Sequence, residues 1–318
     1  MAESVKRKVI IVDRTVPSLQ EGLRAHGYEC ETRTDLTYDD FCRMDDDLYG
    51  LVIRSRFRVD APLIDTKRHL RFIVRLGSGV ENIDTDYATR CGIVCMSTPE
   101  GNAQSVAEHA LGMLMAALRH IARADHEVRD GAWRREANKG RELASQRIGI
   151  IGYGHTGPAF ARILKNFGCE ILVYDKFRTD ITDTFVRVSS IEEIQEKCNV
   201  ISLHINYLPE NHHLVNEDFL TKVQEGVILL NTCRGSVVDT AALVQAVRSG
   251  RVGCAALDVL ESESVRLKIP PKEEWDEALT ALSLLDNVIL TPHIAGQTFE
   301  AERRHADIAL QKILNLKA

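Results

Sequence analysis

The chain has 318 residues, 44% of them hydrophobic and 27% charged, and a formal net charge of −6. That length suits about two domains, and a net negative chain offers no electrostatic support for nucleic-acid binding. No uninterrupted apolar run approaches the roughly 18–20 residues of a membrane span, and Met1 to Lys8 leads straight into Val9-Ile10-Ile11-Val12 without signal-peptide architecture, so no membrane partner and a cytoplasmic location are expected.

Residues 9–97 read as a first α/β unit. Val9–Asp13 is a strand, Pro17–His26 a helix followed by Gly27, Tyr28–Thr32 a strand, and Tyr38–Met44 a short helix. Leu51–Ser55 and Phe72–Leu76 are further strands, and Ile93–Met96 closes the unit. Alternating strands and helices imply a parallel sheet, and ligands gather beyond the carboxyl ends of such strands. Arg54, Arg75 and the turn Gly77-Ser78-Gly79 lie at such ends. Two guanidinium groups and a turn of free N–H groups would suit a carboxylate or a phosphate.

Pro99-Glu100-Gly101-Asn102 is a turn, and Ser105-Val106-Ala107-Glu108 matches a capping box. One long helix is expected from Ala107 to Arg123, rich in Ala, Leu and Met, and buried in part against a second subunit. His109 on it reads as structural. Residues 125–145 are polar and basic, with Trp133, Arg134 and Arg135, and could form an arm towards that subunit.

The stretch 147–175 carries the strongest signal. Arg147–Ile151 is a short apolar strand, and Gly152-Tyr153-Gly154-His155-Thr156-Gly157 follows it at once. Phe160, Ile163, Leu164 and Phe167 then mark one helical face, Gly168 stands at the helix end, and Glu170–Tyr174 is the next strand. Asp175 ends that strand, 18 residues beyond Gly157. Gly152 permits the tight turn, Gly154 lets the backbone approach a pyrophosphate, and Gly157 lets helix and strand pack closely. Asp175 can accept from a ribose diol and would repel a 2′-phosphate, so the expected cofactor is NAD.

Further strands are expected at Val200–His204, Gly226–Asn231, Cys254–Asp258 and Asn287–Leu290, with a helix over Ala241–Ser249 and a last helix after Gly296 that returns to the first unit. The fold class is therefore α/β, with two doubly wound parallel sheets. A Rossmann nucleotide domain spans 98–295, and a flavodoxin-like substrate domain spans 1–97 and 296–318. The eight cysteines form no C-x-x-C pair and lack partner ligands for a metal, so they read as reduced thiols.

Three strand ends carry chemistry: Arg234 after the strand ending at Asn231, the acids of Asp258–Glu263, and His293 after Leu290. An arginine to clamp a carboxylate, a histidine to exchange a hydroxyl proton and a carboxylate to orient the imidazole suit hydride chemistry on a hydroxy acid.

With these motifs the chain resembles the D-isomer-specific 2-hydroxyacid dehydrogenases over nearly its whole length. Gly152–Gly157 with Asp175, Asn231-Thr232-Cys233-Arg234-Gly235, Asp258 with Glu263, Thr291-Pro292-His293 and Ser202-Leu203-His204 all look like that family's motifs. The resemblance implies catalysis by Arg234, Glu263 and His293. It implies cofactor contacts from Ser78, Val106, Gly152, Gly154, His155, Thr156, Gly157, Asp175, His204, Thr232, Cys233, Asp258 and Gly296. It implies substrate contacts from Arg54, Arg75, Gly77, Ser78, Gly79, Arg234 and His293. Within the family the likeness is greatest to the D-3-phosphoglycerate dehydrogenases of serine biosynthesis, through Ile53-Arg54-Ser55-Arg56, Gly77–Asp84, Pro99–Asn102 and Trp133–Asn138. The expected substrate pair is 3-phosphoglycerate and phosphohydroxypyruvate, with glycerate/hydroxypyruvate or glyoxylate as the alternative, and the expected assembly is a homodimer. A regulatory domain beyond residue 318, and feedback through it, is not expected. Another class of relative, the NAD(H)-responsive corepressors, offers a scaffold reading. The departures from the family pattern are Asn206 and Ser264 where proline is usual, Thr156 and Pro158 in the glycine turn, and a long segment between Glu263 and His293.

Overall fold

The computed structural model describes residues 7–264 and 267–316; Met1 to Lys6, part of the N-terminal reading above, lie outside the described residues. The chain divides into two compact units. One comprises Met1–Asn102, Ser264–Lys268 and Gln297–Ala318, and the other Ala103–Glu263 and Ile269–Gly296.

The first unit alternates β1 (Arg7–Ile11), α1 (Pro17–Ala25), β2 (Tyr28–Thr32), α2 (Tyr38–Arg43), β3 (Leu48–Ile53), α3 (Ala61–Asp65), β4 (Phe72–Arg75), α4 (Thr85–Arg90) and β5 (Val94–Ser97). The five strands are all parallel, in the order β2-β1-β3-β4-β5. Side chains alternate across a strand, so each sends successive residues to opposite faces. Ile10, Leu51, Ile53 and Ile73 enter one core cluster. Val9, Ile11, Val52, Phe72 and Val74 enter the other, where the C-terminal helix contributes Ala306, Ala309 and Ile313. A sheet buried on both faces reads as a continuous apolar run, which is why these strands are so plain in the sequence.

The second unit begins with α5 (Ala103–Leu118) and α6 (Ile121–Arg129). It continues through β6 (Arg147–Ile151), α7 (Thr156–Leu164), β7 (Glu170–Tyr174), β8 (Arg187–Val188), α8 (Ile191–Lys197), β9 (Val200–Leu203), α9 (Glu217–Thr221), β10 (Val227–Asn231), α10 (Thr240–Arg248), β11 (Val252–Leu257), α11 (Glu277–Ser283) and β12 (Val288–Leu290). The helix Phe299–Leu314, α12, then belongs to the first unit. The seven strands run β12-β11-β10-β9-β6-β7-β8, all parallel, which is the doubly wound nucleotide-binding order. Ile150, Val173 and Leu230 face one cluster, and Ile151, Leu172 and Leu229 face the other. No described helix is long and apolar enough to cross a membrane.

Three local expectations need correction. The long helix expected from Ala107 to Arg123 starts earlier, at Ala103, and stops at Leu118. His120 adopts a left-handed conformation (φ 53°), and the Leu118 carbonyl accepts from the Arg141 N–H at 2.9 Å instead of continuing a helical ladder. Ser105 is therefore a buried residue of the first turn of α5 rather than the cap of a box. Phe167 lies beyond α7 in a 3-10 turn and is 39% exposed, so it is not a fourth position of the buried face.

Past the end of β9 stands His204, 7% exposed, with its ring 5.3 Å from that of Phe160. Its Nε2 lies 2.8 Å from Ser202 Oγ and its Nδ1 3.2 Å from Thr156 Oγ1. Burial pushes its pKa from 6.5 down to about 3. The unfolded chain then takes up this proton first, so stability is lost progressively as pH falls below the unfolded value towards the folded one. The expected result is a wild-type unfolding free energy that declines on acidification from pH 6.5 more steeply than that of His204→Gln, by about 1.4 kcal/mol per pH unit. Denaturant melts across that range check it, and parallel slopes for the two proteins would contradict it.

Candidate active site

The glycine turn sits where β6 gives way to α7. Gly152 has φ +97°, and a Cβ there would strike the His204 backbone. A Cβ on Gly157 would press on the Gly152 carbonyl, so the helix packs against the turn only because both side chains are missing. A Cβ on Gly154 would meet nothing within 4 Å, which leaves the outer side of the turn open to a close-lying group. Ser190, Asn216, Asp239 and Asp276 cap α8, α9, α10 and α11 with their side chains. His155, at the start of α7, is exposed and supplies no such bond, so the first N–H groups of α7 stay available to an anion.

Asp175 stands at the end of β7. Its carboxylate accepts from the Tyr153 N–H at 2.5 Å and from the Phe177 and Arg178 N–H groups at 2.9 Å each, and Arg178 in turn donates to the Tyr153 carbonyl at 2.9 Å. The carboxylate is thus fixed beside the turn, with lone pairs remaining for a ribose. Thr232 and Cys233, after β10, are both buried, and Thr232 Oγ1 has no hydrogen-bond partner among the described residues. An open glycine turn, an uncapped helix start, a fixed carboxylate and an orphaned hydroxyl on one sheet edge fit a dinucleotide. Val106 is buried in α5, and Gly296 closes the loop that follows β12.

The titratable groups gather at the ends of β10, β11 and β12. His293 Nδ1 lies 3.0 Å from each oxygen of Glu263. An ionised carboxylate only accepts, so Nδ1 carries the proton and Nε2 is left as an acceptor. His293 also has φ +54°, a conformation costly for a residue with a Cβ. Its own N–H donates to the Asp258 carbonyl at 2.7 Å.

The Asp258 carboxylate holds the same loop. It accepts from Thr291 Oγ1 at 2.6 Å, from the Ile294 N–H at 2.9 Å and from the Ala295 N–H at 2.8 Å. His109 Nε2 is 3.5 Å away and also lies 3.1 Å from Thr291 Oγ1. Burial alone would raise the Asp258 pKa, but hydrogen bonds from His109, Thr291, Ala295 and Ile294 outweigh it and leave the group below its ordinary value.

Arg234 follows β10, half-buried, with Nη1 donating to the Cys233 carbonyl at 2.7 Å. Asn231 shapes this turn, taking the Cys233 N–H on Oδ1 and giving Nδ2 to the Arg234 carbonyl. Gly235 packs directly on the backbone of Leu260 and Glu261, so the arginine segment touches the strand end that leads to Glu263. Glu261 braces that segment. It pairs with His213 and accepts from the Thr240 N–H and hydroxyl at 3.1 and 2.7 Å. Burial opposes the charge on Glu261, but the bonds from His213 and Thr240 prevail and lower its pKa.

In the first unit, Arg54 and Arg75 end β3 and β4, both half-buried. Arg54 meets Glu302 at 3.2 Å and Gln297 at 3.3 Å, and Arg75 Nε donates to the Arg54 carbonyl at 3.3 Å. Gly77 (φ +150°) lies under the Arg75 guanidinium, where a Cβ would collide with it. Ser78 Oγ donates to Asn102 Oδ1 at 2.9 Å, and Gly79 is half-buried.

His109 is structural, as the sequence reading has it, though its partners Asp258 and Thr291 carry no local signal, and the roles of His213 and Glu261 escaped that reading. Glu261 sits two residues before Glu263 and was hidden by it, and only the Glu261–His213 contact across 48 residues singles it out.

Comparison with known proteins agrees with this architecture. Residues 111–295 match the family profile of the D-isomer specific 2-hydroxyacid dehydrogenase NAD binding domain. A hydroxypyruvate reductase of Thermotoga maritima is 37% identical over 282 residues, 89% of this chain and 89% of that protein. A D-3-phosphoglycerate dehydrogenase of Archaeoglobus fulgidus is 34% identical over 97% of this chain, although the chain spans only 57% of that relative's length. A D-lactate dehydrogenase of Aquifex aeolicus, solved with NAD and lactic acid, superposes with a TM-score of 0.82 at 27% identity, over 97% of this chain and 94% of that one. The doubly wound sheet with its glycine turn, the matching profile and the extended identity to a full-length relative place this chain in the D-isomer specific 2-hydroxyacid dehydrogenases, as an NAD-dependent oxidoreductase acting on CH–OH donors.

Proposed function

We propose that the substrate pair is 3-phosphoglycerate and phosphohydroxypyruvate. The observation that carries this reading is the cationic end of the first unit's sheet. Arg54 and Arg75 stand beside the Gly77–Gly79 turn, Glu302 pairs with Arg54, and Arg304 donates to the nearby Gly101 carbonyl. Guanidinium groups recognise a phosphate through charge-assisted, bidentate hydrogen bonds that a neutral hydroxymethyl does not return. The hydroxypyruvate reductase at 37% identity supports a second reading, glycerate and hydroxypyruvate. A homodimer is supported by the exposed apolar Ile121, Val128 and Trp133 on and after α6, and a cytoplasmic location by eight free cysteines.

In the proposed mechanism Gly152, Gly154 and Gly157, with His155 and Thr156 at the helix start, hold the pyrophosphate of NAD, and Asp175 holds its ribose. Ser78, Val106, His204, Thr232, Cys233, Asp258 and Gly296 line or support the rest of the cofactor. The cofactor would supply the hydride acceptor for oxidation and the hydride donor for reduction. In the second unit Arg234 would hold the substrate carboxylate; in the first unit the Gly77–Gly79 turn, Arg54 and Arg75 would each offer contacts to an anionic group of the substrate. Nε2 of neutral His293 accepts the hydroxyl proton in oxidation and gives it back in reduction. Glu263 fixes the tautomer that leaves Nε2 free and neutralises the imidazolium that forms.

The test is steady-state oxidation of NADH by phosphohydroxypyruvate, hydroxypyruvate, glyoxylate and pyruvate. The expected outcome is a kcat/KM for phosphohydroxypyruvate at least about 100-fold above the rest, the scale of two charge-assisted contacts. A preference for hydroxypyruvate would establish the second reading. His293→Ala should lower kcat by about 10²–10⁴-fold, the range for a lost acid–base group, while NADH affinity measured by fluorescence changes little. Turnover near wild type would remove His293 from the mechanism. Asp175→Ala should raise the kcat/KM ratio of NADPH to NADH by about tenfold or more, by removing the carboxylate that repels a 2′-phosphate. An unchanged ratio would assign cofactor choice to other groups.

A further inference from the structure

We propose that His305 is a positioning residue for the substrate, which locks the Gly77–Gly79 turn through a hydrogen bond to Thr98. The proposal rests on the reading above that this turn receives a substrate anion.

Both backbone groups of Gly77 end on Thr98. The Gly77 N–H donates to Thr98 Oγ1 at 2.9 Å, and the Gly77 carbonyl accepts from the Thr98 N–H at 2.9 Å. Thr98 is fully buried, so its hydroxyl has no water to turn to. Oγ1 accepts from Gly77, so its own proton must go elsewhere. His305 Nδ1, on α12, is 2.7 Å away, whereas the Arg75 carbonyl lies at 3.5 Å, too far for a good bond. His305 is 4% exposed and fits only because residue 101 is glycine, where a Cβ would run into the ring. The Arg304 guanidinium fastens the same corner by donating to the Gly101 carbonyl at 2.8 Å.

The direction of the Thr98–His305 bond matters. A neutral imidazole can accept at Nδ1, but an imidazolium can only donate. Burial, reinforced by the charges of Arg54, Arg75 and Arg304, pushes the His305 pKa down to about 4. His305 therefore stays an acceptor beside three guanidinium groups. This device fixes the shape of the turn with a side chain that carries no charge of its own. It also gives a reason for a buried histidine on α12.

The experiment compares His305→Leu, which fills the space and cannot accept, with His305→Asn, whose Oδ1 can take the place of Nδ1. Arg75→Met serves as a control on the turn itself. Each is assayed with NADH and phosphohydroxypyruvate, and with hydroxypyruvate if that is the better substrate. The expected result for His305→Leu is a KM raised about tenfold, the scale of one lost buried hydrogen bond, with kcat and NADH affinity within about threefold of wild type. His305→Asn should recover most of the KM. A normal KM in His305→Leu, with a raised KM in Arg75→Met, would overturn the proposal and leave the substrate reading standing. KM values raised equally in the Leu and Asn variants would also overturn it, since packing and not the acceptor would then be at work. A normal KM in Arg75→Met would overturn both. If His305→Leu does not fold, Thr98→Val against Thr98→Ser makes the same comparison from the other side of the bond.

Discussion

A buried carboxylate at the end of β11 holds the reactive edge of the second unit together. Asp258 is 1% exposed, and its two oxygens receive a threonine hydroxyl and two backbone N–H groups from the loop after β12, with His109 alongside. A charge in such a place is tolerable only because these donors surround it. The dependence runs both ways. The N–H groups of Ile294 and Ala295 have no helix or sheet to join, and leaving each without its acceptor would cost about 1–3 kcal/mol. The loop therefore has one arrangement in which its polar groups are satisfied, and in it His293 takes a left-handed backbone conformation that puts Nδ1 on Glu263. The strain at His293 is offset by the bonds that its neighbours make to Asp258.

Glu263 is held by different means. The chain between Asp258 and Glu263 lies on Gly235, so the backbone carrying Arg234 and the backbone leading to the glutamate are in van der Waals contact. Glu261 then pins that segment to the start of α10 through Thr240, and to the loop before α9 through His213. Arginine, glutamate and histidine thus reach one rim from three parallel strands, each fixed by a neighbour that does no chemistry itself. Parallel topology makes this possible, because every strand of the sheet ends on the same side.

Much of this was legible in the sequence where the signal is local. Ile148 to Ile151 and Ile171 to Tyr174 are short apolar runs bounded by glycine and a charge, and both are strands as expected. The glycine turn is a matter of spacing, and spacing survives in a string of letters. What stayed hidden depends on partners far away in the chain. The stop at Leu118 is set by Arg141, whose N–H takes the carbonyl that the helix would have used. The two-residue strand β8 (Arg187–Val188) has no apolar run to announce it. The short helices α8 and α9 are marked mainly by their caps, Ser190 and Asn216, and carry few apolar positions.

The same distinction explains why the reaction is easier to read than the substrate. Proton transfer needs one acid–base group and one orienting carboxylate, and both sit in compact motifs at strand ends. On the reading proposed above, recognition of the substrate's far end falls to Arg54 and Arg75. Their surroundings include Glu302, on α12, 248 residues from Arg54, and His305 and Arg304 on the same helix. At His305 a neutral acceptor holds Thr98, and through it the Gly77 backbone, without adding a charge of its own. If His305 positions the Gly77–Gly79 turn as proposed, the residue at this one buried position bears on which hydroxy acid the unit selects, although it lies outside every motif by which the chemistry is recognised.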